Sequence, residues 1–488
     1  MAFLSQRQSI LNIIEGWTFQ AIAKTVAGWY SYYINQSCSF CIDRSKGLDL
    51  RISTDCAGLG SVRRKLMVIS RRTFIFDSAL TAFVGLSKLS AEHSEKKTTP
   101  SIEFKIRTLT RGPKHHFFGY YGICPWNKSG RYLVCLESSF QDRMPSPGEA
   151  AGIGLVDSKT GEFSKIAETR AWNLQQGAML HWNPLNPENE IIYNDQQGND
   201  IASVILNVKS ENRRILPRAV SAVSHNGKWA ISLTYGRLGR LRKVVGYGGV
   251  KDPNPDSPAP DNDGIFLMDL STGKSKLVVS IAQVYERLVR KYPLLRGRHM
   301  WFNHTVFNKN DTRFFFLARA NLPPRERRYT AMFTANLDGS ELREVVPFDK
   351  RVSHFDWRNN KEIIATFSMD GTGRKHVLFT DGKADYKVIG EDSLDFDGHC
   401  SFSSDQDWIV TDHKHNDTLE QSLLLYNLRS KQTLVLCKYS MREKKYISGD
   451  TRCDFHPRWN RTGDKICFDA IEPTNGTRQL HIVDLKGL

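Results

Sequence analysis

The sequence predicts an all-β chain, a seven-bladed β-propeller whose ring is closed by an N-terminal strand. Three observations carry this. An apolar strand, a polar turn and a second strand recur seven times after residue 101. A second hairpin follows each of these units, giving four strands per repeat. No helical period interrupts the series outside one insertion, and a sandwich would show fewer strands and no such repeat.

Taken in order, residues 1–66 have no clear period and read as an extension, poorly structured or helical. Residues 67–91 contain Ser70-Arg71-Arg72-Thr73-Phe74-Ile75, an apolar stretch to Leu86 and small residues at Ser90-Ala91, which is the pattern of a twin-arginine export signal. Phe76 stands where a lysine is usual and Asp77 interrupts the apolar run, so an amphipathic helix after a basic turn is the other reading. Under export, the natural start is Met67, the mature chain begins near Glu92, and the protein is periplasmic or extracellular. Without export it is cytoplasmic. The polar tract at 92–100 is a linker.

The propeller then occupies 101–488. IEFKIRTLT (102–110) is the strand expected to complete the last blade, because the final hairpin, LHIVDLKGL, stops one strand short. Closure of this kind removes exposed sheet edges. The first hairpins are CPWNKSGRYLVCLE, HWNPLNPENEIIYND, SAVSHNGKWAISL, VFNKNDTRFFFLAR, FDWRNNKEIIATF, FSSDQDWIVTD and RWNRTGDKICFDA. Their anchor positions, 126, 182, 223, 307, 357, 402 and 459, are 41 to 57 residues apart, with one gap of 84. That gap holds a Gly/Pro/Asp loop, GYGGVKDPNPDSPAPDNDG, and a helix-like SIAQVYERLVRKY. Long loops on a rigid scaffold line or cover sites.

Composition narrows the partners. The 488 residues carry a formal charge of +16, which favours nucleic acid, phospholipid headgroups or an acidic polysaccharide. Basic residues are scattered without a Lys/Arg tract, which argues against nucleic acid. No run of about 18 apolar residues is present for a transmembrane span. The nine cysteines have no framework spacing, and Cys38–Cys41 is a lone CxxC. Nothing in the sequence specifies an oligomeric state.

One position in the repeat is chemically unusual. Three residues before the anchor lie His304, His354, His399 and His456, in four consecutive blades, where the first three blades have Ile123, Met179 and Val220. Inner strands line a propeller's channel, so these four imidazoles are expected to converge as a metal site or catalytic arc. The competing reading is a set of blade-to-blade hydrogen bonds. Asp397, Cys400 and Asp454 flank the arc as candidate ligands or supporting partners. HHFFGYYG (115–122) brings His115, His116, Tyr120 and Tyr121 to the channel mouth, as a platform for sugar faces or as blade-packing aromatics. WNLQQGAMLHW and SLTYGRLGRLRKVVGYGG place His181, Trp182, Tyr235, Arg237, Arg240 and Tyr247 in strand ends. A Tyr/His/Arg set is what proton abstraction beside a carboxylate needs, a base and a cation to quench the enolate. The arginines read equally as surface charges.

The segments HHFFGYYGICPWNKSGRYL, WNLQQGAMLHW, YGRLGRLRKVVGYG, NHTVFNKNDTRFFFLAR, SHFDWRNN, DGHCSFSSDQDWIVTD and RCDFHPRW together resemble the seven-bladed propeller polysaccharide lyases, the ulvan-lyase-like and oligogalacturonate-lyase-like group. The likeness covers about 101 to 488. It implies cleavage of a uronate-containing anionic polysaccharide or oligosaccharide by β-elimination, leaving an unsaturated uronate. It also implies Arg237 as charge neutraliser, His181 as base or orienting group with His116 nearby, and Trp182 and Arg240 on the substrate. The four histidines would hold manganese, zinc or calcium. In one respect the chain departs from the group: Ser221, in RAVSAVSHNGK, stands where a catalytic tyrosine is expected. Either Tyr247 or a histidine replaces it, the substrate differs, or the chemistry is lost. Two alternatives follow: a non-catalytic TolB-type propeller that binds glycan or a protein, and a glycoside hydrolase, which would need a facing carboxylate pair from Asp195, Asp356 or Asp412.

Overall fold

The structure, a computed structural model, describes residues 104–486 except 370 and 372, together with three short strands nearer the N-terminus. Two compact units are formed, Met1–Ser101 and Ile102–Leu488. In the first, Ser39–Asp43, Leu50–Asp55 and Val68–Ile69 pair antiparallel in that order. The twin-arginine-like segment from Ser70 onward, Cys38 and the linker at 92–100 lie outside the described residues.

The second unit is a seven-bladed β-propeller of four-stranded antiparallel sheets. Blade 1 is His115–Phe117, Tyr132–Ser138, Ala151–Asp157 and Phe163–Thr169. Blade 2 is His181–Trp182, Glu190–Gln197, Asp200–Asn207 and Arg213–Leu216. Blade 3 is Ala222–Val223, Trp229–Ser232, Gly264–Asp269 and Ser275–Ser280. Blade 4 is Trp301–Phe307, Arg313–Leu322, Arg327–Asn336 and Arg343–Val346. Blade 5 is Phe355–Trp357, Glu362–Phe367, Lys375–Thr380 and Lys387–Ile389. Blade 6 is Ser401–Phe402, Trp408–His415, Glu420–Asn427 and Thr433–Ser440. Blade 7 takes Arg458–Trp459, Lys465–Ile471 and Arg478–Asp484 from the C-terminal end and Ile106–Thr108 from the other. That last strand pairs with Arg478–Asp484, so the ring closes with the strand the sequence pointed to.

The repeated turn has a side-chain mechanism. Immediately after the anchor, Asn127, Ser224, Asn308, Ser403 and Asn460 each accept the backbone N–H five residues on, from Tyr132, Trp229, Arg313, Trp408 and Lys465. Short polar side chains close such turns because they replace a backbone acceptor locally. The anchor itself joins neighbouring blades. The indoles of Trp182, Trp357 and Trp459 donate to the carbonyls of Pro125, Val306 and Ser401 on the preceding blade. Their rings are buried or nearly so between the sheets, each contributing roughly 1.5–3 kcal/mol of apolar burial.

The insertion contains the expected helix, Ile281–Lys291, opened by a capping box between Ser280 and Gln283. A second helix, Tyr235–Leu241, followed by a 3₁₀ turn at Lys243–Val245, occupies a stretch the sequence reading placed in strand ends. Two turns are too short to show a helical period. The helix packs tightly on the segment behind it because Gly239 and Gly246 lack side chains; a Cβ on either would collide with backbone.

Candidate functional site

The four histidines do converge. His354 and His399 have ring centroids 3.8 Å apart, and His399 and His456 4.3 Å. His304 lies at the far end of the arc, 5.4 Å from Phe355 of blade 5. At three of the seven slots the backbone is irregular: His304 and His456 have φ of +53° and +47°, and Met179, in blade 2, +50°. In blade 4 His304 is the residue skipped by the strand pairing between Asn303 and Thr305. A bulge of this kind re-aims one side chain without ending the sheet.

Hydrogen bonds divide the arc into two chemical classes. His354 directs Nδ1 to Asp397 at 2.9 Å, and His399 directs Nδ1 to Asp412 at 2.8 Å. A carboxylate on Nδ1 holds the proton there and leaves the Nε2 lone pair free, which is how metal-ligating imidazoles are oriented. His456 keeps a buried Nδ1 with no partner. One ligand atom each from His399, His456 and Asp454 lie within 4.8 Å of one another. An orphaned ring nitrogen beside two carboxylate-steered rings fits a divalent ion. Asp454 is ion-paired to Lys414 through Oδ1 and to Arg452 through Oδ2. Burial alone would raise the Asp454 carboxyl, but Arg452 and Lys414 hold it well below the usual carboxylate range.

His304 belongs to the other class. Its Nδ1 accepts from the Tyr120 hydroxyl at 2.8 Å and the Gln176 amide at 3.1 Å, which places the ring proton on Nε2. Burial, then Arg319, pushes its pKa well below the ordinary value; burial, then His399, lowers that of His354 to about 4. Tyr120 stacks on His304 with rings 6° from parallel. Tyr121 packs against His399 at 5.0 Å and His456 at 6.1 Å, and its hydroxyl accepts the Phe355 N–H. Burial raises both phenol pKa values.

The turn carrying the two tyrosines is held from blade 7. Asp469 accepts the N–H groups of Phe118 and Gly119, while Arg458 and Arg478 reach the same carboxylate at 2.6 and 2.7 Å. All three side chains are fully buried, and Arg458 also donates to the Tyr120 carbonyl.

Apart from Asp412, the other residues singled out from the sequence are engaged in contacts of their own rather than with the clustered imidazoles. Arg237 donates to the carbonyls of Met300, Asn254, Ser257 and Pro258 and to Asp252, so its guanidinium organises the 252–258 loop and has no donor to spare for a substrate carboxylate. Arg240 shares Asp252. His181 is buried against the Met179 carbonyl, and burial lowers its pKa to about 4. His116 lies between Gln479 and Glu137, and His115 accepts the Arg478 N–H. Trp182 is the blade-joining anchor described above. Tyr247 stacks on Tyr235 at 4.3 Å and meets Asn194. Cys400 is a fully buried thiol whose pKa burial raises. Of the carboxylates considered for hydrolysis, Asp195 accepts the Arg170 N–H, Asp356 the Phe402 N–H, and Asp412 holds His399; no facing pair is formed.

Sequence reasoning missed a group of arginines. Arg319 is 5% exposed, and its Nε has no hydrogen-bond partner. Arg328, Arg242 and Arg374 lie near enough, after burial itself, to depress its proton affinity further. The signal was present in blade 4 as RFFFLAR, where an arginine interrupts an otherwise buried apolar strand. It also missed Tyr235 as a neighbour of Ser221; the Tyr235 hydroxyl donates to the adjacent Val220 carbonyl at 3.3 Å. A cavity of about 490 Å³ lined by Asn183, Leu185, Arg213 and Leu270 lies elsewhere and contains none of the clustered imidazoles.

No family model and no curated protein matches this sequence. Among solved structures the chain is similar to an oligogalacturonate lyase from Vibrio parahaemolyticus, at 14% identity and a TM-score of 0.54 over 79% of this chain and 98% of that one. It is similar also to an oligogalacturonate lyase in complex with manganese, at 13% identity and a TM-score of 0.55 over the same shares. TolB from Acinetobacter baumannii aligns at 12% identity and a TM-score of 0.36, over 72% of this chain and 80% of that one. At these identities the likeness to the two lyases shows the fold, the seven-bladed propeller that the sequence motifs resemble.

Proposed function

We propose that this propeller is a lyase that cleaves a uronate-containing glycan by β-elimination at the imidazole arc. The observation that carries the reading is the division of the arc: His399, His456 and Asp454 bring one ligand atom each within 4.8 Å of one another with His354 packed against His399, while His304 and Tyr120 form a hydrogen-bonded pair beside them. A bound ion would supply positive charge to a uronate carboxylate and acidify the neighbouring C–H. The nitrogen-rich donor set suits manganese or zinc better than calcium, which takes six to eight oxygens.

The chain's own residues do the rest. In one concerted relay, the Tyr120 oxygen takes the proton α to the carboxylate as its own proton passes to the neutral Nδ1 of His304, so no free tyrosinate is formed against the raised phenol pKa. The C–H electrons form the new double bond, the glycosidic C–O bond breaks, and the leaving oxygen takes a proton from the same Tyr120–His304 pair. This role goes to Tyr120 because Ser221 offers no phenol and Tyr120 is the phenol hydrogen-bonded to an imidazole of the arc. Secretion through the segment at 67–91 is part of the same proposal, since such polymers lie outside the cell.

The test is incubation with uronate polysaccharides and ultraviolet detection of the new conjugated double bond. Absorbance should rise with at least one polymer, and Tyr120→Phe should abolish the rise. Replacing His399 and His456 by alanine should remove bound metal, measured by elemental analysis of the purified protein. The second reading is a non-catalytic glycan-binding propeller, favoured by Ser221 in the tyrosine slot. No double bond with any uronate polymer, alongside retained glycan binding, would establish it instead.

A further inference from the structure

The strand Trp408–His415 of blade 6 ends in two histidines that the arc does not use. His413 and His415 are two apart on the strand, so both rings leave one face of the sheet. Their centroids are 4.1 Å apart, with the ring planes at 50°. On the other face, Asp412 and Lys414 turn to His399 and Asp454. Thr411, on the face of the pair, meets His376 of blade 5, so the two rings look away from the arc.

Neither histidine belongs to the repeat. Blades 4 and 7 are built on the same turn, and the slots eleven and thirteen residues after their anchors hold Ala318 and Ala320, and Ala470 and Glu472. Nor do the rings serve blade packing as His376 does. That ring is fully buried and spends both nitrogens, on the Leu394 carbonyl and the Thr411 hydroxyl. His413 and His415 are only half-buried. Ser422, opposite His413 in the register, meets Nε2 of His415 at 2.8 Å and fixes that ring with Nδ1 left over. His413 lies flat on Phe396, 3.9 Å between centroids and 4° from parallel, and its ring nitrogens make no hydrogen bond to a described residue. Burial, then His415, lowers its pKa to about 4, so the ring is neutral and keeps a lone pair for a ligand bond.

Two neutral imidazoles this close gain little from each other, whereas an ion between them turns the proximity into two bonds. Nitrogen ligands stand about 2.0–2.1 Å from zinc, so one ion joins nitrogens roughly 3 Å apart. Rings with centroids 4.1 Å apart can present such a pair. Imidazole suits zinc and copper, and affinity rises from manganese to copper along the first row. Calcium and magnesium call for oxygen ligands. Glu420 stands opposite His415 on the same face, and among the described residues no third ligand atom joins the pair within 4.8 Å. The remaining positions around an ion are left to water.

We infer that His413 and His415 form a second metal site, open to solvent and separate from the arc, that takes copper(II) or zinc. It stands or falls apart from the lyase reading, since Asp412 and Lys414, not these two rings, reach the arc.

The experiment is equilibrium dialysis of the full-length protein against zinc or copper(II), followed by elemental analysis. The variants are His413→Phe, which keeps a flat ring on Phe396, His415→Gln, and a double variant of the arc, His399→Ala with His456→Ala. The unaltered protein should hold one ion more than either blade 6 variant, and the arc variant should keep that ion. Loss of one ligand of two should weaken it by about ten-fold or more, the size of effect found even for outer partners of metal ligands. Copper(II) bound to the arc variant should show paramagnetic coupling to two ring nitrogens, and manganese at the same concentration should not fill the site. Ion content unchanged in both blade 6 variants, or a copper spectrum without two coupled nitrogens, overturns the site. Equal filling by manganese overturns the choice of ion. His415 is the last residue of its strand, so His415→Gln remains informative even where His413→Phe disturbs the packing on Phe396. If the blade 6 variants lose an ion and the arc variant loses none, this site stands and the metal in the lyase reading falls. If only the arc variant loses an ion, the reverse holds.

Discussion

Two sets of buried arginines in this propeller have opposite neighbourhoods. In blade 7, Arg458 and Arg478 share the carboxylate of Asp469, and in the insertion Arg237 spends its guanidinium on four carbonyls and Asp252. In blade 4, Arg319 is buried almost as deeply with no acid beside it. The first arrangement is internally paired, and the second leaves the Arg319 Nε without a partner among the described residues. Burial of an arginine therefore says little about its role; the inventory of its partners says a great deal.

The largest expected effect comes from breaking the complete set. Asp469→Asn leaves two arginines facing each other without a counter-charge and weakens the hold on the Phe118 and Gly119 amides. Removing one partner from a buried ion pair costs about 3–5 kcal/mol. Chemical denaturation should show a loss of that size, with Tyr120 and Tyr121 losing their fixed position over the imidazoles. A loss under about 1 kcal/mol would mean that the closing blade does not anchor the tyrosine turn.

Histidines divide in the same way, and pH separates them. His181 is buried against a carbonyl, and burial lowers its pKa to about 4. The unfolded ring titrates near the ordinary value of 6.5, so between these limits the unfolded chain binds a proton that the folded one refuses. Stability from this group is constant above that window and falls as the pH drops through it, by roughly 3 kcal/mol at the lower end. His181→Gln should flatten the acid limb of a denaturation-midpoint profile by a corresponding amount; an unchanged limb would show that the ring is protonated in the folded state.

The incomplete set predicts the opposite sign. Arg319→Met removes a buried charge without a described counter-ion and keeps most of the apolar stem, so the protein should gain about 1 kcal/mol. Arg237→Met should lose stability instead. Equal losses in both would place an anionic partner for Arg319 within the folded chain.

These contrasts also show what a sequence carries. The seven blades, the closing strand and the helix in the insertion were legible because each is a local pattern: a turn residue after an anchor, or a strand of fixed length. The convergence of His304, His354, His399 and His456 was legible because repeats put equivalent positions at one height in the channel. The division of that arc was not, since it depends on which group meets each Nδ1: Asp397 and Asp412 in two cases, Tyr120 and Gln176 in another. Tyr120 is 184 residues from His304 in the chain, and no periodicity links them. Arg237 looked like a catalytic cation because it lies in a segment that resembles the lyases, while its saturation by carbonyls depends on a loop without a pattern.

The smallest effect tests the frame on which the site depends. Trp357→Phe keeps a large ring between blades 4 and 5 but deletes the indole N–H that meets Val306 at 3.1 Å. A neutral hydrogen bond contributes about 1 kcal/mol net, and the Val306 carbonyl is left without that donor. Because His354 lies three residues before Trp357 and His304 two before Val306, loosening this joint moves two members of the arc relative to each other. Metal affinity should therefore fall with stability in Trp357→Phe. It should be unchanged in Trp182→Phe, which loosens blades 1 and 2, where the slot three residues before the anchor holds Ile123 and Met179. Equal metal affinity in the two variants would mean that the imidazoles are held by their carboxylates alone, and that the blade-to-blade joint contributes only to folding.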